Sequence, residues 1–234
     1  MFAVNPPRSM AKSLRVLAAL LGYPGDRMRS HLAEMSGLLC EERALTYSRR
    51  VELDALMDTL QGADPLEAES AYVELFDRGR ATSLHLFEHV HGDSRDRGPA
   101  MIDLGQTYEK AGLVLAEGEL PDYLPAVLEF VSTQPLPEAR AFLGEMAHIF
   151  NAIFNALQQR ESAYASVLGA LLELAGEKAQ PVTPAAEEAL DESWAEPVVF
   201  DGCSSKGQAK PGQSQPIHVV RTRSAAAAQT GAAS

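Results

Sequence analysis

At 234 residues with 46% apolar side chains, the chain can bury the core of one domain and carry at most an appendage. Twenty basic against thirty-two acidic side chains give a net charge of −12, which argues against nucleic acid and suits a basic partner, or simply solubility. Two cysteines, Cys40 and Cys203, lie outside any C-x-x-C pattern, which excludes a disulfide framework or a thiolate zinc site and fits a reducing compartment.

The first apolar stretch, Leu14 to Leu21, is too short for a signal peptide or a spanning helix, so a cytoplasmic protein is expected. GYPGD at 22–26 breaks that helix, with Asp26 placed to cap the next. Met28, Leu32, Met35 and Leu39 repeat at helical spacing, as do Leu53, Leu56, Met57 and Leu60. Asp64-Pro65 starts a helix running into AYVELFDRG, with proline at its first position. Met101, Leu104, Tyr108, Ala111 and Leu115 continue the pattern, weakened by Gly105 and Gly112. Pro121-Asp122 stops one helix and caps the next, where Pro125 is tolerated in the first turn. Pro135 and Pro137 precede a long amphipathic helix carrying Phe142, Met146, Ile149, Phe150, Ile153, Phe154 and Leu157, and Tyr164, Val167, Leu168, Leu171 and Leu172 follow. No run alternates like a half-buried strand. The fold class is all-α: a single helical domain of about eight or nine helices over residues 1–175.

From 176 to 234 the composition turns to Ala, Ser, Gly, Gln and Pro, and a largely disordered tail is expected. Two apolar islands, WAEPVVF at 194–200 and PIHVV at 216–220, interrupt it; such islands either dock on the body or on a partner or, more often, are merely tolerated.

The stretch SLHLFEHVHGDSRDRG at 83–98 concentrates polar chemistry. His85 and His89 are four apart, with His91 and Asp93 to complete a shell, the basis of an alternative reading as a metal-dependent hydrolase. Leu86 and Phe87 follow the first histidine, so the run is not H-E-x-x-H, and Arg95 and Arg97 oppose a cation. Histidines that cap helices and satisfy carbonyls fit the residues better. No nucleophile elbow, phosphate loop or dinucleotide fingerprint occurs, so neither an enzyme nor a cofactor of its own is expected. Tyr72, Phe76, Leu84 and Phe87 stand among Glu74, Asp77, Glu88, His89 and Asp93, the mixture of an apolar groove with an acidic rim. Such a groove suits an amphipathic segment carrying basic residues.

The run YVELFDRGRATSLHLFEHVHGDSRDRG, from Tyr72 to Gly98, closely resembles the signature of the NarJ family, chaperones for assembly of the molybdenum-containing respiratory nitrate reductase, also called its delta subunit. MIDLG at 101–105, ELPDYLPAVLEF at 119–130 and both tail islands extend the resemblance, whereas the alanine run from Ala225 falls outside it. The resemblance implies an all-helical cytoplasmic chaperone that binds the apo catalytic (alpha) subunit, partly through its N-terminal peptide. It would promote insertion of the molybdenum cofactor before membrane docking, a role open to indirect contact with the machinery delivering that cofactor. A chaperone of another molybdoenzyme in the same superfamily is the nearest alternative. The superfamily's E-P-x-D-H motif corresponds to Glu119–Leu124, where Asp122 matches and Tyr123 replaces the histidine. The implied client-peptide site comprises Tyr72, Phe76, Leu84, Phe87, Glu88, His89, His91, Asp93, Glu119, Asp122 and Tyr123. Asp122 is placed either to accept a basic or polar peptide group or to cap its helix. Titration of His89 and His91 would make affinity depend on pH.

Overall fold

A computed structural model describes residues 9–91, 94–116 and 118–181. Ten α-helices occur among them, and no strand longer than an isolated bridge. The ten exceed the expected number because two are very short, α2 (Asp26–Arg29) and α6 (Leu86–Val90).

The innermost layer is apolar on every side. In α10 (Ala165–Ala175), Val167, Leu168, Ala170, Leu171, Leu172 and Leu174 are all buried, as expected of a helix wrapped by others. It forms a hairpin with α9 (Leu136–Gln159), whose Leu143, Phe150, Ile153 and Leu157 face inward. Pro135 stands at the N-cap of α9 and Pro137 in its first turn, where the absent amide costs nothing. Gly176 ends α10 at φ +85, the left-handed conformation that glycine adopts without a Cβ penalty.

Around this hairpin lie α1 (Ala11–Leu21), α3 (Leu32–Glu42), α4 (Tyr47–Gly62) and α8 (Leu124–Ser132). The Glu42 carboxylate, at the end of α3, accepts the backbone N–H groups of Lys12 (3.1 Å) and Ser13 (2.7 Å) and the Ser13 hydroxyl (2.7 Å). An anion from one helix thereby satisfies the unpaired first-turn donors of another. In α4, Thr46 caps by accepting from the Arg49 N–H, while Leu53, Leu56, Met57 and Leu60 are buried as their spacing predicts. The run Met28–Leu39 is not one helix: it breaks at Ser30–His31 between α2 and α3, and Gly25 rather than Asp26 occupies the N-cap of α2.

The remaining segments build one end of the bundle. Asp64 caps α5 (Pro65–Tyr72) through the N–H groups of Leu66 and Glu67, with Pro65 at its first position. α5 continues as a widened π turn over Val73–Asp77, closed by the Arg78 N–H donating to the Val73 carbonyl at 3.2 Å. The extra residue per turn rotates the downstream residues by about 100° relative to an unbroken helix. α7 (Arg97–Lys110) stops well before Pro121, because Gly112 at φ +79 turns the chain into the irregular segment leading to α8. The expected tail boundary at 176 falls just short of the last described residues. Residues from 182 onward, with both tail islands, lie outside them.

Candidate functional site

Two stretches some forty positions apart are clasped together. The Leu124 N–H donates to the Leu84 carbonyl (2.8 Å) and the Leu86 N–H to the Asp122 carbonyl (3.0 Å), an antiparallel bridge between His85 and Tyr123. The clasp holds the lead-in to α6 against the lead-in to α8. It brings part of the 72–98 run and part of the 119–130 run side by side.

Beside it opens a cleft of about 480 Å³, lined by Tyr23, Tyr72, Phe76, Asp77, Leu84, His85, Gly118, Glu119, Leu120 and Tyr123. Its floor is aromatic. Tyr72 packs on Phe76 with ring centroids 4.9 Å apart and on Tyr23 edge-to-face at 5.7 Å, and Phe76 meets Tyr164 at 5.1 Å. The Tyr72 hydroxyl donates to the Leu21 carbonyl (2.8 Å) and lies 3.3 Å from the Tyr123 hydroxyl. Burial first, then the Tyr123 contact, pushes the Tyr72 hydroxyl far above the ordinary phenol range; burial also raises Tyr123. Both rings therefore act as neutral polar handles on an apolar surface. The rim is acidic, with Asp77 and Glu119 exposed, and among the described residues no lysine or arginine lines the cleft. Phe76 and Asp77 both lie in the π turn, Phe76 in the floor and Asp77, the next residue, at the edge.

The geometry of the turn depends on Gly79. A Cβ there would lie 2.6 Å from the Leu75 carbonyl oxygen and would collide with the Thr82 hydroxyl, which itself donates to that carbonyl. Only glycine lets the chain double back so tightly from Phe76 to Leu84.

Asp122 is fully buried beneath the cleft, contrary to its expected place as an acceptor for a peptide. It does not cap its own helix either, since Tyr123 occupies the N-cap of α8 without a side-chain bond. Its Oδ2 accepts the Phe87 N–H (3.1 Å) and its Oδ1 the Nδ1–H of His85 (3.3 Å), with Arg97 3.8 Å away. Together with its carbonyl on Leu86, Asp122 caps α6, a helix 35 residues earlier in the chain. A sequence cannot show a cap supplied from so far away. The Asp122 bond raises the His85 pKa above its ordinary value of 6.5, against the opposing effect of burial.

The sequence-predicted residues thus divide. Tyr72, Phe76, Leu84, Glu119 and Tyr123 meet in the cleft, joined by Tyr23, Asp77, His85 and Leu120. Phe87, Glu88, His89 and His91 sit on or just after α6 and do not line it. Phe87 meets His91 edge-to-face at 5.4 Å, Glu88 pairs with Arg97 at 3.6 Å, and the His89 Nε2–H donates to the Ser83 carbonyl at 2.9 Å. Asp93 lies outside the described residues. The hydrolase alternative finds no support among the described residues. His85 and His89 are engaged as above, and no three His, Cys, Asp or Glu side chains are grouped to hold a metal. Tyr23 carried no sequence signal beyond its place in the GYPGD break, and Leu120, although within the 119–130 run, was not singled out there.

The described residues thus form an all-helical bundle with an aromatic, acidic-rimmed cleft. The fold matches a solved protein from Archaeoglobus fulgidus, proposed to act in redox enzyme maturation, with a TM-score of 0.50 over 76% of this chain and 98% of that one at 21% identity. At that identity the likeness concerns the fold alone. Residues 42–169 match the model of the nitrate reductase delta subunit family, and the chain belongs to that family. It is 42% identical over 199 residues, 80% of this chain and 83% of the relative, to the nitrate reductase molybdenum cofactor assembly chaperone NarJ of Escherichia coli K12. It is also 36% identical over 155 residues to the nitrate reductase-like protein NarX of Mycobacterium tuberculosis, covering 66% of this chain and 23% of that longer protein. Membership makes the chain a chaperone rather than an enzyme. No helix among the described residues is long and apolar enough to cross a membrane.

Proposed function

We propose that this chain is the cytoplasmic assembly chaperone of a respiratory nitrate reductase. It binds the apo catalytic (alpha) subunit, in part through that subunit's N-terminal segment, and holds it competent for molybdenum cofactor insertion before membrane docking. The observation that carries the reading is the cleft: an aromatic floor with an anionic rim and no lysine or arginine among the described residues that line it, in a family with a relative named a nitrate reductase molybdenum cofactor assembly chaperone. Its volume of about 480 Å³ suits a few anchor side chains of an amphipathic segment rather than a whole helix. Apolar anchors supply affinity, and Asp77 and Glu119 steer a basic segment and set its direction.

Titration calorimetry with a synthetic N-terminal peptide of the catalytic subunit tests this. Leu120 is 44% exposed at the cleft mouth, so covering it is worth about 1 kcal/mol and Leu120→Ser weakens binding about fivefold. Asp77→Lys, at an exposed position, weakens it by a similar factor and flattens its salt dependence. Binding that ignores both substitutions would move the client site away from this cleft.

A further inference from the structure

The cleft has a neighbour. Glu119 lines both it and a second hollow of about 380 Å³, so the two adjoin. Buried Tyr108 and Phe130 back this hollow, their ring centroids 4.9 Å apart. Where the chain leaves α7, Leu113 and Leu115 pack against the core, and Val114 between them turns outward, 89% exposed. A bare valine alone means little. This one stands at a hollow adjoining the cleft, whose own mouth holds Leu120, 44% exposed.

The hollow differs from the cleft in holding a cation, Arg15, exposed on α1. The Arg15 Nε–H donates to the Ser132 hydroxyl at 3.1 Å, and that buried hydroxyl donates onward to the Glu129 carbonyl at 2.6 Å. One edge of the guanidinium is thereby fixed by α8. Neither Nη has a partner among the described residues, and the two carboxylates that line the hollow, Glu119 and Glu129, form no ion pair with it. A guanidinium held by its Nε presents a planar two-pronged end, the geometry that grips a carboxylate bidentately.

We propose that the client segment seated in the cleft continues into this hollow, sets an apolar side chain against Val114 and Phe130, and places a carboxylate on Arg15. The inference rests on the client reading and adds a rule of selection to it. The segment is dipolar: basic where it meets Asp77 in the cleft, acidic where it reaches Arg15. Glu119 and Glu129 penalise a carboxylate anywhere in the hollow except on the guanidinium, which fixes register as well as direction. A uniformly basic segment meets Arg15 as a like charge, and a uniformly acidic one meets the rim, so each is rejected by repulsion as much as by lost attraction.

Titration calorimetry on the full chain tests this with the synthetic N-terminal peptide of the catalytic subunit and with peptides in which each Asp or Glu in turn is replaced by Lys. Val114 and Arg15 are exposed, so their variants should melt like the natural chain. Val114→Ser should weaken the natural peptide about fivefold. Arg15→Glu should weaken it about tenfold, and Arg15→Lys, which keeps the charge without the fork, about threefold. One Lys-substituted peptide should recover binding to Arg15→Glu while losing about tenfold on the natural chain, the signature of a direct pair. Equal or tighter binding of the natural peptide by Arg15→Glu, or recovery by none of the substituted peptides, would overturn the inference. Sensitivity to Leu120→Ser and Asp77→Lys with indifference at Val114 and Arg15 would sink it and leave the cleft reading standing. The opposite pattern would keep the Arg15 pairing and sink the cleft as the client site, and a peptide that binds neither place would overturn both.

Discussion

Replacing Asp122 by alanine removes one carboxylate that ties three elements together. The Phe87 N–H, at the start of α6, loses its acceptor at 3.1 Å, His85 loses its partner at 3.3 Å, and Arg97 is left with Glu88 alone. A charge-assisted bond in a fully buried setting is worth about 1.5–3 kcal/mol, and loss of a helix cap about 1 kcal/mol. The two overlap, so the expected cost is about 3 kcal/mol, a fall in Tm of roughly 6–12 °C for a chain of this size. Asp122→Asn keeps an acceptor for the Phe87 N–H and should cost about half as much. Urea denaturation measures the loss, and hydrogen exchange localises it, with the amides of Leu86 and Phe87 exchanging faster while those of α10 change only by the global amount. A cost below about 1 kcal/mol with unaltered Phe87 exchange would refute the capping role and make Asp122 a candidate peptide contact again.

The same pair predicts a pH dependence. Because the folded-state pKa of His85 is raised above 6.5, its contribution to stability is fully present below about pH 6.5 and is lost as pH rises through the folded value. Asp122→Asn should abolish that slope. Neutralising His85 also leaves the cleft more negative, so a basic peptide should bind more tightly above this window, and a flat affinity profile would remove His85 from recognition. Gly79→Ala should destabilise by about 2 kcal/mol in a thermal melt, since its Cβ meets the Leu75 carbonyl 2.6 Å away. Tyr72→Phe strands the buried Leu21 carbonyl at a cost of about 1–2 kcal/mol while preserving the floor, so peptide affinity should change less than threefold. Ending the chain after residue 181 should leave core helicity and Tm nearly unchanged. Ending it at 176 also removes the bonds from Gln180 to Asn151 and Asn155, and should be measurably worse.

Some of this architecture is carried by local pattern. Leu53, Leu56, Met57 and Leu60 repeat at the helical period and are buried together, Asp64-Pro65 caps and opens α5, and Pro137 sits in the first turn of α9. These depend on interactions within four residues, which spacing alone encodes. The π turn after Tyr72 and the break between α2 and α3 are not encoded in spacing, because packing against the rest of the bundle chooses among nearly equal local conformations.

The site divides on the same principle. Its residue types, aromatic rings among carboxylates and imidazoles between Tyr72 and Asp93 and again near Glu119, are a property of the sequence, and so is the family resemblance they carry. Which of them face solvent is not. Asp122 reads as the cap of its own helix or as an acceptor for a peptide, yet the antiparallel clasp to Leu84–Leu86 carries it fully inside and makes it the cap of a distant helix. His85 reads like His89 and His91, yet only His85 lines the cleft, because the bridge to Tyr123 fixes its side chain there. Hydrogen bonds between segments some forty residues apart leave no periodic trace in either segment, so the chain's chemistry was legible in advance and its orientation was settled only by tertiary contact.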